Sequence, residues 1–179
     1  MKYLRRFVWF LASRLFVITM VAALMVTALY FGMSTTNISI VLKEGMAKRA
    51  QVVMLMEDES ELSKYFQNAF LESDALLLST RMGASPYRDY NVRGIDHRLE
   101  TDFFWVWPWE ERVRVDITER IPRIDGRVKS TRAEEVVLEN GSGAVYPPDW
   151  QGARYRALLE KSGGAWRIRS LTLLEEIHE

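Results

Sequence analysis

The hydrophobic pattern divides the chain near residue 42. Leu15 to Leu42 contains no Asp, Glu, Lys, Arg or His, and Leu15 to Phe31 is almost wholly apolar. A helix rises about 1.5 Å per residue and a bilayer core is about 30 Å thick, so about 20 residues cross it. The window 7–33 is that long, and Arg14 near its inner end can snorkel to the headgroups. We therefore expect a cytoplasmic tail over 1–6 and a single transmembrane helix over 7–33. Tyr3, Trp9 and Tyr30 fall near the two interfaces, where amphipathic rings settle. A cleaved signal peptide would share the basic start, but this apolar run exceeds the usual ~7–15 residues and lacks a clean small-x-small site. Ala12, Ala22, Ala23 and Ala28 offer small residues to a partner helix, without GxxxG spacing.

The pattern turns mildly polar at Ser34, Thr35, Thr36 and Asn37, where Asn37-Ile38-Ser39 matches a glycosylation sequon. Helical spacing then resumes. Ile38, Val41, Leu42, Met46, Ala50, Val53 and Met54 share a face, opposite Lys43, Glu44, Lys48 and Arg49, so 34–56 is a stalk or a first helix. The methionines suit core packing rather than a metal site. A further helix is predicted over 61–79, with Leu62, Tyr65, Phe66, Ala69, Phe70, Leu76 and Leu77 as its stripe. Glu57 to Ser60 make a capping region before it.

Alternation takes over at Tyr90. The run 90–99 reads as a strand with an irregularity at Gly94. In extended geometry Phe103, Trp105, Trp107 and Trp109 share one face. Val113, Val115, Ile117 and Ile121 point inward on the next strand, while Arg112, Arg114, Asp116, Thr118 and Arg120 point to water. Asp125-Gly126 reads as a turn and Val136-Val137-Leu138 as a short strand. The strongest hairpin signal joins Arg154–Glu160 to Trp166–Leu174 through Gly163-Gly164. Leu171 and Leu173 are out of phase with Ile168, which predicts a bulge near Ser170. The fold class is α+β, with one domain over 57–179 behind the transmembrane helix.

Charge and composition narrow the partners. Net charge is zero over 179 residues. Residues 1–14 nevertheless carry Lys2, Arg5, Arg6 and Arg14 with no acid, which leaves the remainder at −4. The basic end stays in the cytoplasm and the domain lies outside, at the cell membrane. A slightly acidic external domain is unsuited to nucleic acid. There is no cysteine, so disulfides and thiolate chemistry are excluded.

No catalytic motif stands out, and no cofactor or metal spacing is present. Asp96 and His97 are adjacent, so in a strand they point to opposite faces and form no dyad. The other histidine, His178, lies in the tail. The aromatic run Phe103, Trp105, Trp107 and Trp109, with Arg112 and Arg114, is the candidate interface. Core packing, a protein contact and the membrane surface are all open to it.

Helices followed by antiparallel strands, ending in Gly163-Gly164-Ala165-Trp166-Arg167-Ile168, resemble the NTF2-like (cystatin-like) superfamily. The layout of short basic tail, one span and external domain looks like VirB8-type components of secretion and conjugation systems. The resemblance implies helices packed on a curved sheet and one of two roles. One is a non-enzymatic scaffold contacting lipid, other membrane or envelope proteins, or copies of itself. The other is a ligand-binding or enzymatic pocket between helices and sheet, with Tyr90, Asp96 and Asp116 as its polar groups.

Overall fold

A computed structural model describes residues 2–107 and 109–177; His178 and Pro108 lie outside the described residues. The expected span and the expected stalk are one element. Helix α1 runs without a break over Lys2–Val53. It is long and apolar enough to cross a membrane, and the apolar window that meets that test is bare of protein contact. Its other half is core: Ile38, Leu42, Met46, Ala50 and Val53 are buried together at the spacing expected. The expected continuation to Met56 stops at Val53. There Leu55 takes a left-handed φ of 60°, and the amides of Leu55 and Met56 bond the carbonyls of Val52 and Gln51. That is a Schellman ending, which usually recruits glycine.

The region 61–79 corrects the single predicted helix. It folds as a 3₁₀ turn over Glu59–Lys64, α2 over Asn68–Ser73 and α3 over Ala75–Arg81. The break has a physical cause. The chain docks on the last strand, where Ile168 N–H donates to the Tyr65 carbonyl at 2.7 Å and Gln67 N–H donates to the Ile168 carbonyl at 2.9 Å. The second break is Asp74, whose extended backbone lets its side chain cap α3.

The sheet is α+β in the expected sense. Strands β1 (Tyr90–Ile95), β2 (Arg98–Thr101), β3 (Arg112–Arg120), β4 (Ile124–Val128), β5 (Gly152–Ser162) and β6 (Ala165–Ile177) form two antiparallel groups. One is the four-stranded sheet β2-β3-β5-β6; the other is the ribbon β1-β4. The predicted strand 90–99 is therefore two strands, because the chain turns at Asp96 and His97 and enters a different sheet. The register slips between Val92 and Gly94, where the irregularity was expected. Gly126 is no turn residue. It lies inside β4, where a Cβ would sit 2.9 Å from the Pro147 ring and 3.0 Å from the Asn91 carbonyl oxygen. Val136 to Leu138 are not a strand but part of α4 (Ala133–Asn140), with Glu134 and Glu135 in its first turn and Gly141 ending it at φ 85°. Three apolar residues are too few to separate the two periodicities.

The closing hairpin follows the prediction. Gly163 and Gly164 carry φ of 60° and 84°, the conformation of a two-residue type I′ turn. The pairing passes from Leu158–Ser170 to Leu159–Ile168, leaving Arg169 as the extra residue of the expected bulge.

Gly45 makes the docking of α1 possible. A Cβ there would lie 2.9 Å from the Tyr65 Cβ and 3.3 Å from Ile168 Cδ1. Gly32 has open space around it. Gly45→Ala should destabilise the domain by about 1–3 kcal/mol, as overpacking does, whereas Gly32→Ala should leave it unchanged. Thermal melts of the two full-length variants check this; equal melting temperatures would contradict it.

Candidate functional site

Two places gather chemistry. The first is inside. Residues 113, 115, 117, 119 and 121 alternate onto the inner face of the sheet, and Glu119 goes with them, fully buried. His97 Nε2 lies 3.0 Å from Glu119 Oε1, with its own side chain 8 % exposed. Above them α1 contributes Arg49. Its Nε and Nη2 donate to Asp74 Oδ2 at 3.0 and 2.8 Å, and the pair is all but excluded from water. Asp74 Oδ1 meanwhile accepts the Leu77 N–H at 3.0 Å. One carboxylate thus caps α3 and ties it to α1.

These groups share one electrostatic field. Burial works against the Arg49 charge, but Asp74 and Glu119 outweigh it and hold the guanidinium above its ordinary pKa. Burial and then the Glu119 charge push the Tyr155 hydroxyl up, so it stays protonated. Arg49 Nη1 and Glu119 Oε2 are buried without a hydrogen-bond partner among the described residues. A dry interior leaves such atoms costly, so they call for a water or a polar ligand atom. Tyr155 also borders a separate cavity of about 320 Å³, with Val53, Leu76, Tyr87, Trp150 and Leu173; Arg49 and Glu119 do not line it. Burial and the nearby Asp149 raise the Tyr87 hydroxyl to about 12.

The expected pocket residues are not brought together here. Tyr90 sits on the β1-β4 ribbon and donates to the Ala144 carbonyl at 3.1 Å. Asp96 pairs with Arg98 at the surface. Asp116 lies on the outer sheet face, held by Arg156 through two bonds of 2.7 and 2.8 Å. Arg156, then Arg154, keeps the Asp116 carboxyl below its usual range. The sequence reading excluded an Asp96–His97 dyad and missed Glu119 as the partner of His97. The strand phase was the signal: position 119 is in step with the buried valines. Among the described residues, no group of three or more His, Asp or Glu could hold a metal ion.

The second place is outside. The described residues of 102–111 form no strand, so the aromatic run is a loop between β2 and β3. Alternation survives nevertheless. Val106 is buried and Phe104 packs on the core, whereas Phe103, Trp105, Trp107 and Trp109 are 87, 48, 42 and 74 % exposed. Trp107 and Trp109 stack at 5.2 Å, Trp105 meets Trp107 edge-on at 5.4 Å, and Trp105 stacks on Phe31 of α1 at 4.2 Å. Glu110 fixes the loop by accepting the Trp107 N–H at 2.7 Å. The hairpin tip arrives at the same level, where Lys161 Nζ donates to the Tyr30 hydroxyl at 3.2 Å. Of the expected interface residues, Arg112 pairs with Glu160 on the outer sheet face, and Arg114 is exposed beside it.

No family model, curated protein or solved structure matches this chain.

Removing Arg49 strands the buried Asp74 carboxylate and takes a positive charge away from Glu119. Arg49→Met should cost about 3–5 kcal/mol, the penalty for breaking a buried ion pair. Removing Arg156 from its exposed pair should cost about 0–1 kcal/mol. Urea unfolding of both variants reads the difference; equal midpoints would show that the buried network bears no such weight.

Proposed function

We propose that the chain is a single-pass, membrane-anchored domain serving as a non-enzymatic contact subunit of a membrane or envelope complex. The observation that carries this reading is α1, one unbroken helix with a bare apolar half and a half buried in the folded domain. Exposed apolar side chains at that density need covering, and a bilayer is the environment that their length fits. Lys2, Arg5, Arg6 and Arg14 keep that end in the cytoplasm, so the domain is extracytoplasmic. In this reading the fold is of the NTF2-like kind. Its support is the order of elements: short helices, then a bulged antiparallel sheet closing in the Gly163-Gly164 hairpin. The VirB8-type layout has the same support in the tail, span and external domain.

Two surfaces suit a protein partner. Strand β6 is the end strand of its sheet, and Tyr65 and Gln67 pair with its outer edge at Ile168. Farther along it exposes Leu173 and Leu174, and a strand edge of this kind is a template for a strand of another chain. The outer sheet face carries both signs of charge, with Arg112, Arg114, Asp116, Arg154 and Arg156.

A second reading is favoured by the largely apolar cavity of about 320 Å³ at Tyr155, Tyr87 and Trp150. It makes the domain a carrier, or an enzyme, for a small apolar molecule with a polar group.

One preparation tests both. The full-length chain, extracted in mild detergent from its native membrane, is weighed by native mass spectrometry. The first reading expects a complex heavier than the 20.8 kDa chain. A monomer retaining a small molecule favours the second, and a bare monomer contradicts both.

A further inference from the structure

We infer that the loop carrying Phe103, Trp105, Trp107 and Trp109 is a second membrane contact, lying in the outer headgroup layer and fixing the domain against the bilayer. The inference rests on the anchored reading and adds to it what the exposed aromatics bind: the lipid interface.

Distance along α1 supports it. From Leu11 to Tyr30 every apolar side chain except the last is open. Those 19 steps span about 28 Å at 1.5 Å each, close to the thickness of a hydrocarbon core. Leu11 lies one turn before Arg14, whose side chain can reach the inner headgroups. Tyr30 and Phe31 therefore fall where the hydrocarbon ends on the outer side. That is the level at which Trp105 stacks on Phe31 and Lys161 bonds Tyr30.

The chemistry also fits. Indole rings combine an apolar body with an N–H donor, and they concentrate at membrane–water interfaces for that reason. Here three of them form one row of ring contacts, stacked and edge-on, that starts at Phe31 of the helix. The sequence leaves Phe104 and Val106 for the core and turns every other ring outward. A core-packing role would have hidden these rings. A protein groove would account for their exposure, but not for their coincidence with the end of the apolar half of α1. The row sits off the helix axis, so it restrains tilt and rotation of the domain as a lone helix does not.

The full-length chain in phospholipid nanodiscs tests this, using phosphatidylcholine brominated near the top of its acyl chains as the quencher of tryptophan emission. The chain has six tryptophans. In W9F, three of the remaining five belong to the loop. Brominated lipid should then lower W9F emission by roughly half, because the loop rings sit at interface depth. The variant W105F/W107F/W109F keeps the anchor signal of Trp9, and matching thermal melts show that its fold is unchanged. Quenching of W9F supports the inference. Quenching of Trp9 in the triple variant with none in W9F overturns it and leaves the anchor standing. No quenching in either overturns both.

Discussion

Everything in this structure depends on the packing of the second half of α1 against the inner face of the sheet. That helix supplies Ile38, Leu42, Met46, Ala50 and Val53 to the core. It also supplies Arg49 to the buried ionic network. It packs against the 3₁₀ turn over Glu59–Lys64, α3, β2 and β6, and it continues well beyond the domain. A separate anchor joined by a flexible linker would leave a domain free to tumble. Here the helix that would cross the bilayer and the helix that organises the core are the same rod, so the position of one fixes the other.

The buried charges fit this arrangement. A helix lying across a sheet meets polar groups that an all-apolar core would exclude. Arg49 and Asp74 join α1 to α3, while Glu119 and His97 join β3 to the turn before β2. Such pairs add little net stability over apolar packing, but once built they make wrong registers costly, because a slip strands a charge. We read the network as a device for register, with Arg49 Nη1 and Glu119 Oε2 as two of its atoms left unpartnered.

Much of this was legible in the residues. The Gly163-Gly164 turn was, because few other pairs accept two left-handed φ angles. The bulges near Gly94 and Ser170 were visible as breaks in alternation. The buried stripe of α1 was visible as helical spacing. What was hidden depended on contacts distant in sequence. The helix over 61–79 broke because Ile168 captured the backbone at Tyr65 and Gln67. Glu119 was assigned no place because its charge argued against its phase, and only His97 and Arg49 make the buried position tolerable. The aromatic run read as a strand, since alternation is shared by a strand and by a loop with one side on the core. Its alignment with Phe31 lay 74 residues away in sequence, beyond any local pattern.

The continuity of α1 is best measured as a distance. The chain lacks cysteine, so spin labels at L11C and K43C report alone. In nanodiscs, an unbroken helix places the two backbone sites about 48 Å apart, 32 residues at 1.5 Å each, and pulsed electron resonance should show one narrow distribution there. A broad or much shorter distribution would mean a hinge between anchor and core, and would contradict the account at its root.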